Sequence, residues 1–167
     1  LVSDHGGTDD TPPLFRVTVT FEEVNGRTTM EMVSTLSSPE AAAQMAAFIK
    51  KAGGNATWDR LAEHLATGKP VFVVNRTFEA PIDRVFAMWT TPEHLSKWLP
   101  PAGTEMRFLR SEIAVGKSTF FVISGAHGTM HVRAEYLAID PPSRIVYDQQ
   151  FVDERERPAP APGAAVF

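Results

Sequence analysis

The sequence predicts an α+β fold built on an antiparallel sheet, in the order β-β-α-β-α-α-β-β-β-β. Three observations carry this prediction. An alternating strand ends in Asn25-Gly26 and returns as a second strand. Apolar residues then recur at helical spacing, first from Pro39 to Leu65 and again from Pro81 to Leu99. Four further strand-like runs, separated by turns that contain Gly or Pro, extend from Glu105 to Val152.

The first strand, Phe15 to Val24, places Phe15, Val17, Val19 and Phe21 on one face and Arg16, Thr18, Thr20 and Glu22 on the other. Asn-Gly is the strongest short hairpin signal, because a type I′ turn needs φ > 0 at both central positions. A two-residue loop here sets Phe21 against Met30, Val19 against Met32 and Phe15 against Leu36. All of these fall on one side of the sheet, so turn and apolar pattern agree on one register.

A helix is expected from Ser37-Ser38-Pro39-Glu40, where Ser suits the N-cap and Pro the first helical position. Met45, Phe48, Ile49 and Ala52 come next at helical spacing. Gly53-Gly54 weakens the middle by roughly 1 kcal/mol per glycine, and the pattern resumes with Trp58, Leu61, Ala62 and Leu65. This reads as one long helix with a loose turn at the glycines. Val71 to Phe78 is a strand. Pro81 to Thr90 is a short helix with Ile82, Val85, Phe86 and Trp89 on one face, and Pro92 to Leu99 is a second, stopped by Pro100-Pro101. The last four strands are Glu105 to Ile113, Ser118 to Ser124, Met130 to Ile139 and Arg144 to Val152. Val115-Gly116, Gly125 to Gly128 and Asp140-Pro141-Pro142 supply the turns between them.

These elements divide the chain into five parts. Residues 1–13 form a polar, Gly-containing leader and 14–67 carry the hairpin and long helix. Residues 68–70 are a connector, 71–153 carry the remaining elements, and 154–167, with their Pro-Ala alternation, form an extended tail. The chain's 167 residues suit one domain, and an apolar share of 43% with 11 Phe supports a core. A net charge of -4 gives no concentrated basic face for nucleic acid. The absence of cysteine excludes disulfides, thiolate metal sites and Cys nucleophiles. No run approaches the length of a membrane span and no signal-peptide pattern opens the chain, so a cytoplasmic location is expected.

Residues 76–101, RTFEAPIDRVFAMWTTPEHLSKWLPP, resemble the opening of the START-like SRPBCC superfamily, in particular its branch of activators of the heat-shock-protein-90 ATPase and their homologues. The matching positions are Ala80-Pro81, Val85-Phe86, Pro92-Glu93-His94-Leu95 and Lys97-Trp98. Val115-Gly116 and Asp140-Pro141-Pro142 followed by Arg144-Ile145-Val146-Tyr147 also fit that branch. VTVTFEEVNG with its paired strand, and Trp58-Asp59-Arg60-Leu61-Ala62-Glu63-His64-Leu65, resemble its closing hairpin and C-terminal helix. The resemblance implies a helix-grip (START/Bet v 1-like) fold, a curved antiparallel sheet of about seven strands around a long helix and an apolar cavity. In the family the hairpin and long helix come last; here they come first. The family fold would put the end of the helix and the start of Val71–Phe78 at opposite ends of the sheet, about 26 Å apart at ~3.3 Å per residue. The connector reaches about 14 Å. That mismatch suggests a homodimer completed by exchange of halves; a circular permutant and a piece of a tandem protein are the alternatives.

The candidate ligand-binding residues of the cavity are Met32, Met45, Phe48, Trp89, Trp98, Phe108, Phe121 and Tyr136, since aromatic and Met side chains make adaptable apolar walls. For each one, ordinary core packing is the competing assignment. His127 and His131 lie four apart, but Gly125 and Gly128 place them on a turn entering a strand, and no third ligand is evident. No metal site and no cofactor is therefore assigned. Arg107, Arg110 and Arg133 would hold a carboxylate at a cavity mouth if they faced inward; across the sheet they also suit Glu105, Glu112 and Glu135. Tyr136 with Arg133 or His131 would form an acid-base pair of a cyclase-like or hydrolase-like enzyme. No catalytic residue is assigned, and the expected function is non-catalytic binding of a small hydrophobic or amphipathic ligand. A chaperone-regulating interaction module is the second expectation, and the enzyme the third.

Overall fold

The computed structural model describes residues 15–38, 71–126 and 128–160. The expected long helix, and with it Met45 and Phe48, lies outside the described residues. Seven strands form one antiparallel sheet: β1 (Phe15–Val24), β2 (Arg27–Thr35), β3 (Val71–Phe78), β4 (Thr104–Ser111), β5 (Ser118–Gly125), β6 (Gly128–Asp140) and β7 (Arg144–Val152). Their spatial order is β3-β2-β1-β7-β6-β5-β4. Helices α1 (Ile82–Thr90) and α2 (Pro92–Trp98) link β3 to β4, the two edge strands. Among the described residues no helix is long and apolar enough to cross a membrane.

The first hairpin has the register that its turn dictates. Asn25 and Gly26 adopt φ of 55° and 75°, Phe21 pairs with Met30 and Val19 with Met32. The alternating apolar side chains of β1 are buried. β3 then pairs with β2 of the same chain, from Thr28 opposite Phe78 to Thr35 opposite Val71. The sheet thus pairs β2 with β3 of one chain, the last residue of β2 lying opposite the first of β3.

The tip of the first hairpin fastens the junction between β3 and α1. Thr28, fully buried, donates from Oγ1 to the carbonyl of Ala80 at 2.6 Å. Arg27 pairs with Glu79. The carboxylate of Glu23 accepts the Ile82 N–H at 2.7 Å. This side chain comes from 59 residues away to satisfy one of the free N–H groups that open α1, as a local N-cap would. Pro81 occupies the N-cap position and supplies no side-chain cap.

α1 turns Val85, Phe86 and Trp89 onto the sheet. Phe86 and Trp89 meet Phe21 edge-on, at 5.7 and 6.3 Å between ring centroids. α2 buries Leu95 and returns Trp98 to Trp89 at 4.7 Å, with the Trp98 indole N–H donating to the Met88 carbonyl at 3.0 Å.

Two β-bulges interrupt the alternation read from the sequence. One lies between Phe108 and Arg110 on β4, the other between Tyr136 and Ala138 on β6. A bulge inserts one unpaired residue and re-aims the side chains beyond it. The extra residues are Leu109 and Leu137, both exposed. Beyond the bulges Arg110 pairs with Phe120, and Ile139 pairs with Ile145. With its bulges and the α+β order, the sheet is consistent with the helix-grip class.

The C-terminal segment does not extend freely from β7. Asp153 to Arg157 turn back, and Val152 bridges Pro158 antiparallel. The Asp153 N–H donates to the Arg157 carbonyl at 2.8 Å, and the Ala159 N–H to the Phe151 carbonyl at 3.0 Å. These two bonds flank Val152 and Pro158, so neither bond needs the amide hydrogen that proline lacks. The start of the segment read as a tail is thus held against β7 by an isolated bridge. It lies on the edge that β1 occupies further along, since β6 holds the other.

Candidate functional site

Alternation assigns each sheet residue to one of two faces. The inner face holds Phe15, Val17, Val19 and Phe21 of β1, and Thr119, Phe121 and Ile123 of β5. From β6 it takes Val132, Ala134 and Tyr136, and from β7 Ile145, Tyr147, Gln149 and Phe151. All but Thr119, Ala134 and Gln149 belong to, or pack against, one continuous apolar cluster with α1. The outer face holds Phe120, Val122, His131, Arg133, Glu135 and Gln150.

Most of the sequence-derived cavity residues fall on the inner side. Trp89, Phe121 and Tyr136 are buried members of the cluster, while Met32 and Phe108 pack against it half-buried. Phe108 and Phe121 meet edge-on at 5.6 Å. Trp98 is 41% exposed and reaches the cluster through Trp89.

The charged candidates lie elsewhere. His131 stacks on Phe120 at 5.8 Å, on the outer face. Arg133 also lies there, opposite Phe120. Neither pairs with Tyr136, because β6 sends them to opposite sides. The acid-base pair considered from the sequence does not assemble. Arg110 is the instructive case. Uninterrupted alternation would put it beside Phe108 on the inner face; the bulge turns it outward. There its guanidinium meets both carboxylate oxygens of Glu156 at 2.7 Å and the Ser118 hydroxyl at 2.9 Å. A cation committed to a bidentate partner outside the sheet does not serve an inner carboxylate site.

Sequence reading missed three inner-face residues: Thr119, Tyr147 and Gln149. Each sits in a strand whose pattern gives no sign of chemistry. Register brings them together. Thr119 pairs with Ala134, which pairs with Gln149; in the next row Tyr136 pairs with Tyr147. The two tyrosine rings lie 5.7 Å apart. Burial raises the Tyr136 hydroxyl above its ordinary value, an effect that a weak hydrogen-bonding contact with the Thr119 side chain partly offsets. Burial and then the neighbouring Tyr136 raise Tyr147 much further. Both phenols are neutral donors throughout the physiological range.

An open concavity lies at one end of the sheet. It has a volume of about 490 Å³ and runs between the ends of β6 and β7 and the C-terminal turn, lined by Met130, His131, Phe151, Val152, Glu154 and Pro160 among others. Among the described residues, none of the sequence-derived cavity residues lines it. Its wide opening and mixed lining suit water better than an apolar ligand.

The turn beside this groove titrates in acid. The Arg157 side chain and then its backbone N–H hold the Asp153 carboxyl down at about 2, below its ordinary 3.8. Its folded value is depressed, so its contribution to the turn is complete above the ordinary value and is lost as pH falls toward 2. Glu156, also held down by Arg110, acts in the same direction. The expected outcome is loosening of residues 153–157 between about pH 4 and 2, before the sheet melts. Amide shifts of Arg155 and Arg157 followed by NMR check it; shifts that stay flat down to pH 2 would refute it.

Comparison with known proteins gives a family. The model of the family described as "Activator of Hsp90 ATPase homolog 1-like protein" matches residues 1–66 and 79–166. Three solved structures resemble the chain in part. A solution NMR structure from Staphylococcus epidermidis is 30% identical over 50% of this chain and 51% of its own, with a TM-score of 0.47. A crystal structure from Mycobacterium smegmatis is 22% identical over 48% of this chain and 50% of its own, at 0.44. One from Chromobacterium violaceum is 29% identical over 46% of this chain and 54% of its own, at 0.43. The chain spans about half the length of each. No curated protein matches it.

Proposed function

The chain belongs to the family of activator of Hsp90 ATPase homolog 1-like proteins, and within that family we propose that it binds a small hydrophobic or amphipathic molecule on the inner face of its sheet, without catalysis. The carrying observation is the inner face itself. It is apolar and aromatic across adjacent strands, with Met32, Phe108 and Met130 only half-buried. Met45 and Phe48, outside the described residues, belong to the same proposed wall.

The test uses a neutral apolar dye, N-phenyl-1-naphthylamine, with native mass spectrometry of freshly purified protein. The expected result is saturable binding of about one dye per chain and a co-purified adduct. Ala134, buried between Thr119 and Gln149 on the inner face, offers a block. Ala134→Leu is expected to weaken dye binding at least about tenfold with an unchanged circular dichroism spectrum. No saturable binding and no adduct would overturn the proposal.

The family's description favours a second reading, regulation of a chaperone ATPase through an outer surface. In that case Arg133→Glu changes the stimulation of an Hsp90 ATPase and Ala134→Leu does not. The β2–β3 contact made between two chains would give the homodimer by exchange of halves; light scattering separates an 18.3 kDa species from its double.

A further inference from the structure

We propose that the inner face carries a polar anchor, Thr119 with Tyr136, that selects an uncharged hydrogen-bonding head group, such as a hydroxyl or a carbonyl, over a carboxylate or phosphate. This rests on the ligand-binding reading and specifies its ligand. Two independent observations carry it.

The first is an unmet hydrogen bond. Thr119 is 1% exposed, and its Oγ1 is buried without a hydrogen bond of standard geometry, the Tyr136 hydroxyl making only a weak contact with it. A buried hydroxyl left unpaired costs free energy, and native interiors rarely keep one without a use. Nothing in the strand requires threonine at this position, since valine has the same shape and the same preference for strands. The hydroxyl sits on the inner face, one pair away from Tyr136 along β6. Tyr136 brings a second neutral hydroxyl to the same spot. Together they offer a donor and an acceptor to one small polar group.

The second is the charge inventory. At the inner-face positions of β1 from Phe15 to Phe21, and of β5, β6 and β7, no described residue is Lys, Arg, His, Asp or Glu. Arg110 is turned outward onto Glu156. Arg76, on the edge strand β3, is exposed and donates to the Asn75 carbonyl. Among the described residues a carboxylate carried onto this face would meet no cation to offset its lost hydration. A hydroxyl or carbonyl would lose little and would satisfy Thr119.

The experiment compares two ligands of one chain length, 1-tetradecanol and tetradecanoate, by displacement of N-phenyl-1-naphthylamine at pH 8. Wild-type protein is expected to bind the alcohol about tenfold tighter or more. Thr119→Val and Tyr136→Phe are each expected to weaken the alcohol by roughly 3- to 10-fold, the worth of one neutral hydrogen bond. Dye and tetradecanoate affinities are measured on each variant as well, and both are expected to fall less than that of the alcohol, so that the preference for the alcohol shrinks. Thr119→Val should also raise the melting temperature of the unliganded protein, because it removes the unpaired hydroxyl. Equal or tighter binding of tetradecanoate would overturn the proposal, as would variants that bind the alcohol like wild type while the dye still binds. A lowered melting temperature in Thr119→Val would overturn it too, whatever the ligands do. Failure of wild type to bind the dye at all would instead sink the parent reading, and this one with it.

Discussion

Trp89→Ala is expected to destabilise the protein by about 3–5 kcal/mol, a large part of the 5–15 kcal/mol typical of a domain. Trp89 is 7% exposed and lies where α1 meets the sheet. Its ring touches Phe21 on one side and Trp98 on the other. Removing it strips both edge-to-face contacts, each worth about 0.5–1.5 kcal/mol beyond burial, and leaves a void between a helix and a strand that cannot close over it. Trp98→Ala is the internal control. Trp98 is 41% exposed and is held by one hydrogen bond and the contact with Trp89. Its loss should cost less than half as much. Urea denaturation of both variants decides the point: equal losses would mean that the aromatic pair, rather than the position of Trp89, carries the stability.

The contrast between these two tryptophans also shows what a sequence discloses. Both stand in helical runs and both read as cavity wall; burial separates them, and burial is not local information. Where a local rule fixes geometry, the reading holds. Asn25-Gly26 sets a two-residue turn, that turn sets the register, and the register places Phe21 opposite Met30. The bulges at Leu109 and Leu137 leave no such mark, because an extra leucine in a strand looks like any other apolar residue. Yet the bulge on β4 decides which face Arg110 takes. The Glu23 cap of α1 is equally hidden, being made by a carboxylate 59 residues away. Thr119 and Tyr147 escape notice for a related reason. A strand-forming residue draws attention only when its neighbours across the sheet are known, and Gln149 joins them only through two pairings. The Pro-Ala alternation after Arg157 misleads in the opposite sense. Proline at every second position reads as an extended tail, but it also suits a strand whose prolines all point their nitrogen away from the neighbour.

That last segment leads to the second large prediction: a chain rearranged to run 71–160 and then directly 15–70 should fold to the same sheet. Pro158 lies opposite Val152, so continuing the strand sets Ala159 opposite Phe151 and Pro160 opposite Gln150. Phe15 lies opposite Gln149, which is the next step on the same edge of β7. The hydrogen-bond phase agrees as well. Ala159 donates to Phe151, and Phe21 donates to Ser143, which precedes β7 and lies an even number of residues from Phe151. A peptide bond from Pro160 to Phe15 would therefore make one unbroken strand, with inner and outer faces preserved and the hairpin placed after β7. The expected result is a chain with the same circular dichroism and a melting temperature within a few degrees of the native order. The demanding control adds one glycine at the junction. Because side chains alternate with a period of two, that residue must be bulged out or Phe15 to Phe21 must turn from the core to the outer face. Either outcome should cost roughly 1–3 kcal/mol. If the glycine variant proves as stable as the direct fusion, the two segments are not in one register. If the direct fusion fails to fold, the lane on β7 is not shared.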